Sequence, residues 1–190
     1  LVRQGYVRYA GLSEVGAETL RRAHRTHPIC DLQIEYSLVS RGIEAAILPA
    51  ARALGVGITA YGVLSRGLLG GSWSKDRSLA RGDIRNFLPR FAPGNVERNL
   101  AIVEALRALA GRRRTTVAQL AIAWVRSRGD DIVPLVGARR RDRLREAIGA
   151  LDLTLSPEEA DAVASAAPPD AVAGTRYDAR QMAMLDSERA

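Results

Sequence analysis

Polar side chains stand where four short apolar segments of this chain give out. They are Ser13-Glu14 after VRYAGL, Gln33 within LQIEYS, Tyr61-Gly62 in GITAYGV, and Gly137-Ala138-Arg139 after IVPLV. A hydroxyl or an amide inside an apolar stretch costs free energy unless something pairs with it. Ser13 also reads as a helix cap, and Tyr61 taken alone as a core or rim aromatic. Gln33, between Leu32 and Ile34, is harder to explain as structure, because its face should be closed by other strands. The best anion signal is VGARRRDRLREA at 136–147. There small residues run into a helix start rich in Arg. Free backbone N–H groups and the helix dipole favour a phosphate at such a place, and Arg offers it bidentate contacts. The same residues read equally well as a solvated Arg-rich helix laced by Asp142 and Glu146.

Other chemistries lack their residues. His24 and His27 lie three apart on one predicted helix, as exposed positions, with no nearby acid or Cys cluster; a metal site needs more ligands. Cys30 has no His partner and is expected to pack quietly. Lys75, the only lysine, falls in a predicted loop rather than a strand. No P-loop, GxSxG or Rossmann glycine fingerprint is present. No general acid, nucleophile or metal ligand set stands out.

The elements that must position these residues follow from pattern. The strand candidates span 7–13, 32–37, 57–63 and 132–137, and their near-continuous apolar character suits parallel strands covered on both faces. Helical periodicity fills 15–25 and 43–54. Asn95 can cap a helix to about Ala110, Thr116 and Gln119 have capping-box spacing, a helix covers 141–149, and Ser156-Pro157-Glu158-Glu159 opens another. The result is an α/β chain of four successive parallel βα units in a single domain, 1–190. A long loop at 65–94, rich in Gly, Ser and Arg, follows the third strand on the side where such folds bind ligands. A tail covers 168–190.

Composition limits partners. The 190 residues carry a net charge of +7, and a pI near 10.4 invites a nucleic-acid reading. Yet all but one of the 28 basic residues are Arg, scattered through helices and often beside acids. A genome-wide composition bias explains them more simply, so no specific nucleic acid is expected, only salt-sensitive affinity from charge. No run approaches the roughly 18 apolar residues of a membrane span. LVRQGYVRYA has no apolar core for a signal peptide, and a single cysteine fits a reducing cytoplasm.

In order and spacing, VRYAGLSEV, LQIEYSL, GITAYGVLSRGLL, TVAQLAIAWV and VPLVGARRRDRLREAIGAL resemble the aldo-keto reductases, from about Gly5 to Leu155. That family is a (β/α)8 TIM barrel that binds NADPH without a Rossmann fold and reduces small carbonyl substrates to alcohols. The segments correspond to its fifth to eighth strands, so the chain resembles the C-terminal half of the barrel; a whole one usually needs about 250 residues. The resemblance implies that Ser13 and Gln33 hydrogen-bond the nicotinamide carboxamide and that Tyr61 stacks on the ring. Gly62, Leu64 and Arg66 fall where a loop wraps the pyrophosphate. Gly137, Ala138, Arg139 and Arg143 match the segment holding the 2′-phosphate, which implies NADP over NAD, and Glu146 a position near the adenine. Glu14 and Ala147 stand where many members have Asn, and Tyr6 replaces a basic residue outside the site.

The family's Tyr, Lys, Asp and His tetrad comes from the first four strands, so no residue here inherits a catalytic role. LVRQG corresponds to the end of a helix that begins earlier in the family, and position 1 is not Met. The expectation is a truncated cofactor-binding half, inactive alone. The alternative is a natural half-barrel that closes its open sheet edges by self-association or by complementing another chain.

Overall fold

Four parallel strands cross one sheet in chain order: β1 (Gly11–Ser13), β2 (Asp31–Glu35), β3 (Gly57–Tyr61) and β4 (Ile132–Pro134). The computed structural model describes residues 1–74 and 77–189; Lys75, assigned above to the loop, lies outside them. Among the described residues seven α-helices accompany the strands: α1 (Ala17–Thr26), α2 (Ile47–Leu54), α3 (Asn95–Arg112), α4 (Val117–Ser127), α5 (Arg141–Gly149), α6 (Pro157–Ser165) and α7 (Ala179–Met184). The α/β architecture of successive parallel βα units is as expected, and it forms half of a barrel. Among the described residues no helix is long and apolar enough to cross a membrane.

The two outer strands are shorter than their apolar patterns. β1 and β4 have three residues each, and each has a ladder partner on one side only. The ladder contacts reach one residue past each short strand, where Ala10 accepts from the Cys30 N–H at 2.9 Å and Leu135 donates to the Ala60 carbonyl at 2.8 Å; residues 7–9 and 136–137 lie outside the strands.

Residues two apart in a strand share a face, and here the faces differ. Leu12, Leu32, Ile58 and Ile132 are register neighbours in one row, and the last three are buried. The helices pack on this side. α4 lies against β4, α3, α5 and α6, with Val117, Leu120, Ala121, Trp124 and Val125 all buried. Trp124 donates its indole N–H to the Ala160 carbonyl at 3.2 Å and packs on the Tyr36 ring at 5.6 Å. The other face is open, with Val133 64% exposed. The apolar runs predict coverage on both faces; among the described residues no strand stands opposite the inner face.

The helix starts agree closely with the sequence. Thr116 with Gln119, and Ser156 with Glu159, form reciprocal capping boxes. At α3 the cap falls one residue early: Gly94 is the N-cap, its N–H donating to Glu97 at 2.6 Å, while Asn95 donates its side-chain amide to the Pro89 carbonyl. His24 lies on α1, but His27 is the extended residue that ends it. Cys30 is exposed rather than packed.

Candidate active site

The register places Ser13 opposite Gln33, Gln33 opposite Thr59, and Thr59 opposite Val133. This row lies on the open inner face near the carboxyl ends of the strands. Thr59 spends its hydroxyl on Asp31, at 2.9 Å. Ser13 and Gln33 are exposed, and among the described residues neither side chain has a hydrogen-bond partner. A hydroxyl and a primary amide on adjacent strands, both uncommitted, suit a planar ligand group with a donor and an acceptor of its own.

One step further along, Glu35 is opposite Tyr61. Glu35 is 4% exposed and is ringed by three guanidinium groups: Arg66 at 3.3 Å, Arg90 at 3.4 Å and Arg176 at 3.8 Å. An ionised carboxylate this deep needs such partners. The signal for Glu35 in the sequence is a charge inside the apolar run LQIEYS. Arg90 and Arg176, both buried, come from the loop and the tail, where pattern gives no warning.

Backbone conformation aims Arg66. Ser65, Arg66 and Gly67 have φ of 45°, 55° and 94°, a run of left-handed residues that costs energy at Ser65 and Arg66. The guanidinium lies 5.7 Å from the ring centres of both Tyr61 and Tyr177 and donates to the Tyr177 hydroxyl at 2.8 Å. Gly62 is required beside it: φ is 69°, and a Cβ would fall 3.0 Å from the Glu35 Cγ. Burial raises the Tyr61 phenol above the ordinary tyrosine range, assisted by the neighbouring Tyr177 hydroxyl; it stays neutral.

The described residues of the loop at 65–94 pack around Trp73. Short 3-10 turns cover Ser65–Gly70, Ile84–Phe87 and Pro89–Phe91. Trp73 packs on Phe91 at 4.9 Å, with Arg77 and Arg85 over its ring at 4.7 and 5.2 Å. Between this loop and α5 is a cavity of about 170 Å³, whose lining includes Leu64, Arg77, Arg85, Gly137, Arg143 and Glu146. Ala138 and Arg139 do not line it; both are exposed beside it. The α5 N-terminus has no side-chain cap, so its first N–H groups are free for an anion. The acids do lace this helix: Arg140 pairs with Asp142 and Arg143 with Glu146, at 2.6 and 2.8 Å.

The aldo/keto reductase family model matches residues 1–168, and the chain belongs to that family. It is similar to the glycerol dehydrogenase of Gluconobacter oxydans, at 30% identity and a TM-score of 0.81 over 88% of this chain and 52% of that one. It is also similar to a thermostable aldo-keto reductase solved with the inhibitor epalrestat, at 25% identity and a TM-score of 0.66 over 87% and 50%. The chain thus spans about half the length of these solved relatives.

Proposed function

We propose that this chain is the cofactor-binding half of an NADP-dependent aldo-keto reductase, acting on a small aldehyde or ketone in a reducing compartment such as the cytoplasm. The observation that carries the reading is the Ser13–Gln33 pair, two uncommitted polar groups side by side on the open face with Tyr61 one step beyond. They fit a nicotinamide: the Gln33 amide both donates and accepts, and the Ser13 hydroxyl does the same, matching a carboxamide's N–H and C=O. When bound, the reduced nicotinamide supplies a hydride to the carbonyl carbon. The residues of this chain bind and orient. Ser13 and Gln33 fix the rotation of the ring plane, and Tyr61 covers one ring face so that the other is presented. Arg66, Gly62 and Leu64 serve the pyrophosphate. Gly137, Ala138, Arg139 and Arg143 serve the 2′-phosphate, with Glu146 near the adenine.

No residue here is assigned proton transfer, so we expect no carbonyl turnover from the 190 residues alone. Fluorescence titration of the purified chain with NADPH and NADH tests the reading. Saturable binding that favours NADPH supports it, and no binding of either overturns it. Turnover by the chain, freed of host reductases, would overturn the expected inactivity. A second reading, a half-barrel that self-associates, is favoured by one observation: β1 and β4 each have an unpaired edge beside exposed Tyr6, Tyr9 and Val133.

A further inference from the structure

We propose that Arg176, from the C-terminal tail, is a positioning residue that holds the nicotinamide end of the site in shape. The inference rests on the cofactor reading above and deepens it. Arg176 is 7% exposed, and its guanidinium spends all five N–H donors. Nη1 donates to Glu14 Oε1 at 3.0 Å and to the Tyr61 hydroxyl at 3.2 Å. Nη2 donates to Glu14 Oε2 at 2.5 Å and to the Ser187 hydroxyl at 3.1 Å, and Nε donates to Glu188 at 3.0 Å.

The two partners on the sheet are the ones that matter for a ligand. Glu14 follows Ser13 directly and sits in the left-handed region, at φ 53°, a conformation that persists only where its surroundings hold it. Tyr61 is the aromatic that would cover the nicotinamide. One planar fork therefore fixes the residue after Ser13 and the phenol of Tyr61 at once, a geometry that a lysine cannot reproduce.

The tail is built to deliver this fork. Asn99 on α3 is fully buried; its amide donates to the Ala173 carbonyl at 2.9 Å and its oxygen accepts from the Ala173 N–H at 2.8 Å. Gly174 follows at φ 79°, where a Cβ would fall 2.6 Å from the Pro89 carbonyl carbon. Beyond the fork, Asp186 accepts from the Gly16 N–H at 2.8 Å at the start of α1, and Ser187 donates to Glu14 at 2.7 Å. Anchors on both sides leave Arg176 one place to go.

The test compares two probes, NADPH and 2′-phospho-ADP-ribose, which lacks the nicotinamide. Arg176→Gln is expected to weaken NADPH roughly tenfold, the scale of one lost charge-assisted contact, while leaving 2′-phospho-ADP-ribose within about twofold. A purely structural role would weaken both probes alike, and equal losses or no loss would overturn the proposal. Should Arg176→Gln fail to fold, Glu188→Ala, which removes the carboxylate 3.0 Å from Nε and 2.9 Å from Nη2 at the tail's rim, decides on the same comparison, with an expected NADPH loss of roughly threefold. If the unaltered chain binds neither probe, the cofactor reading fails and this inference with it; if it binds both, only the fate of Arg176 is in question.

Discussion

Ser13 and Gln33 are direct register partners across the parallel β1–β2 ladder, and both side chains emerge on the open face. Two adjacent groups that share one ligand behave as a unit, so their losses should not add. Ser13→Ala and Gln33→Ala are each expected to weaken NADPH about three- to tenfold, with the double variant falling short of the product. Thermal stability should barely move, because neither side chain has a partner among the described residues. Titrations of the four proteins check this; full additivity would mean that the groups do not grip one ligand.

The cavity between the loop and α5 makes Arg143 and Arg139 unequal. Arg143 lines the cavity beside Gly137, and Arg139 is exposed outside it. Arg143→Ala should therefore weaken NADPH by about 1–3 kcal/mol, the scale of a charge-assisted bond, and NADH much less. Arg139→Ala should have a smaller effect. Equal losses for both cofactors on Arg143→Ala would remove the 2′-phosphate assignment.

The sequence discloses the βα order and the helix starts because both rest on local chemistry. Thr116 and Gln119 cap each other, as do Ser156 and Glu159, without help from distant residues. The places of Ser13, Gln33 and Tyr61 towards the carboxyl ends of the strands are legible for a similar reason, since polar residues inside short apolar runs are conspicuous. The carboxylate-guanidinium network is not legible. Glu14 meets Arg176, 162 positions away, and Glu35 meets Arg90, 55 positions away. Neither periodicity nor capping encodes such pairs. The open inner face also eludes pattern, since Val133, inside the apolar run at 132–137, reads as buried whether or not a strand stands opposite.

Acid should release the tail. Burial tends to raise the Glu14 carboxyl, but hydrogen bonds from Arg176, Ser187 and the Glu35 N–H outweigh it and lower it from 4.5 to about 2. Asp186 is held low as well, chiefly by the Gly16 N–H. A lowered carboxylate stabilises the folded form above its unfolded value, and that contribution is lost as pH falls through the folded one. The window is thus from about pH 4.5 down to about 2. Allowing for partial solvent screening, Glu14 should account for about 1–3 kcal/mol. Limited proteolysis of residues 174–189 across this range measures it, and Glu14→Gln should remove most of the pH dependence. A tail protected equally at pH 3 and pH 6 would contradict the assignment.

Asn99 should matter more to the tail than any surface ion pair. Its side chain is fully buried and serves the Ala173 N–H and carbonyl together with the Arg90 carbonyl, at 2.8, 2.9 and 3.1 Å. Asn99→Ala strands these backbone groups away from water, at a cost of about 2–4 kcal/mol. For a chain of this size that lowers Tm by roughly 2–4 °C per kcal/mol. Arg113→Ala, which loses an exposed pair with Glu159, should change Tm by less than about 1 kcal/mol equivalent. Calorimetry on the two variants checks the contrast.

The sheet edges give the last prediction. β1 and β4 each present backbone N–H and C=O groups with no ladder partner, and exposed edges invite pairing with another chain. Tyr6 and Tyr9 near β1 are 77% and 74% exposed, and Val133 on β4 is 64% exposed. Beside β4 a second cavity, about 490 Å³, is lined by Ile132, Val133, Leu144, Ile148 and Leu151. An apolar trough next to an open edge gives a second copy both backbone partners and a surface to bury. Under the self-associating reading, sedimentation should show a dimer whose population rises with concentration. Val133→Lys, which puts a charge on the inner face beside the β4 edge, should return it to monomer without unfolding it, since the side chain already meets water. A folded monomer at all concentrations would leave the edges without a partner of this chain's own kind and end that reading.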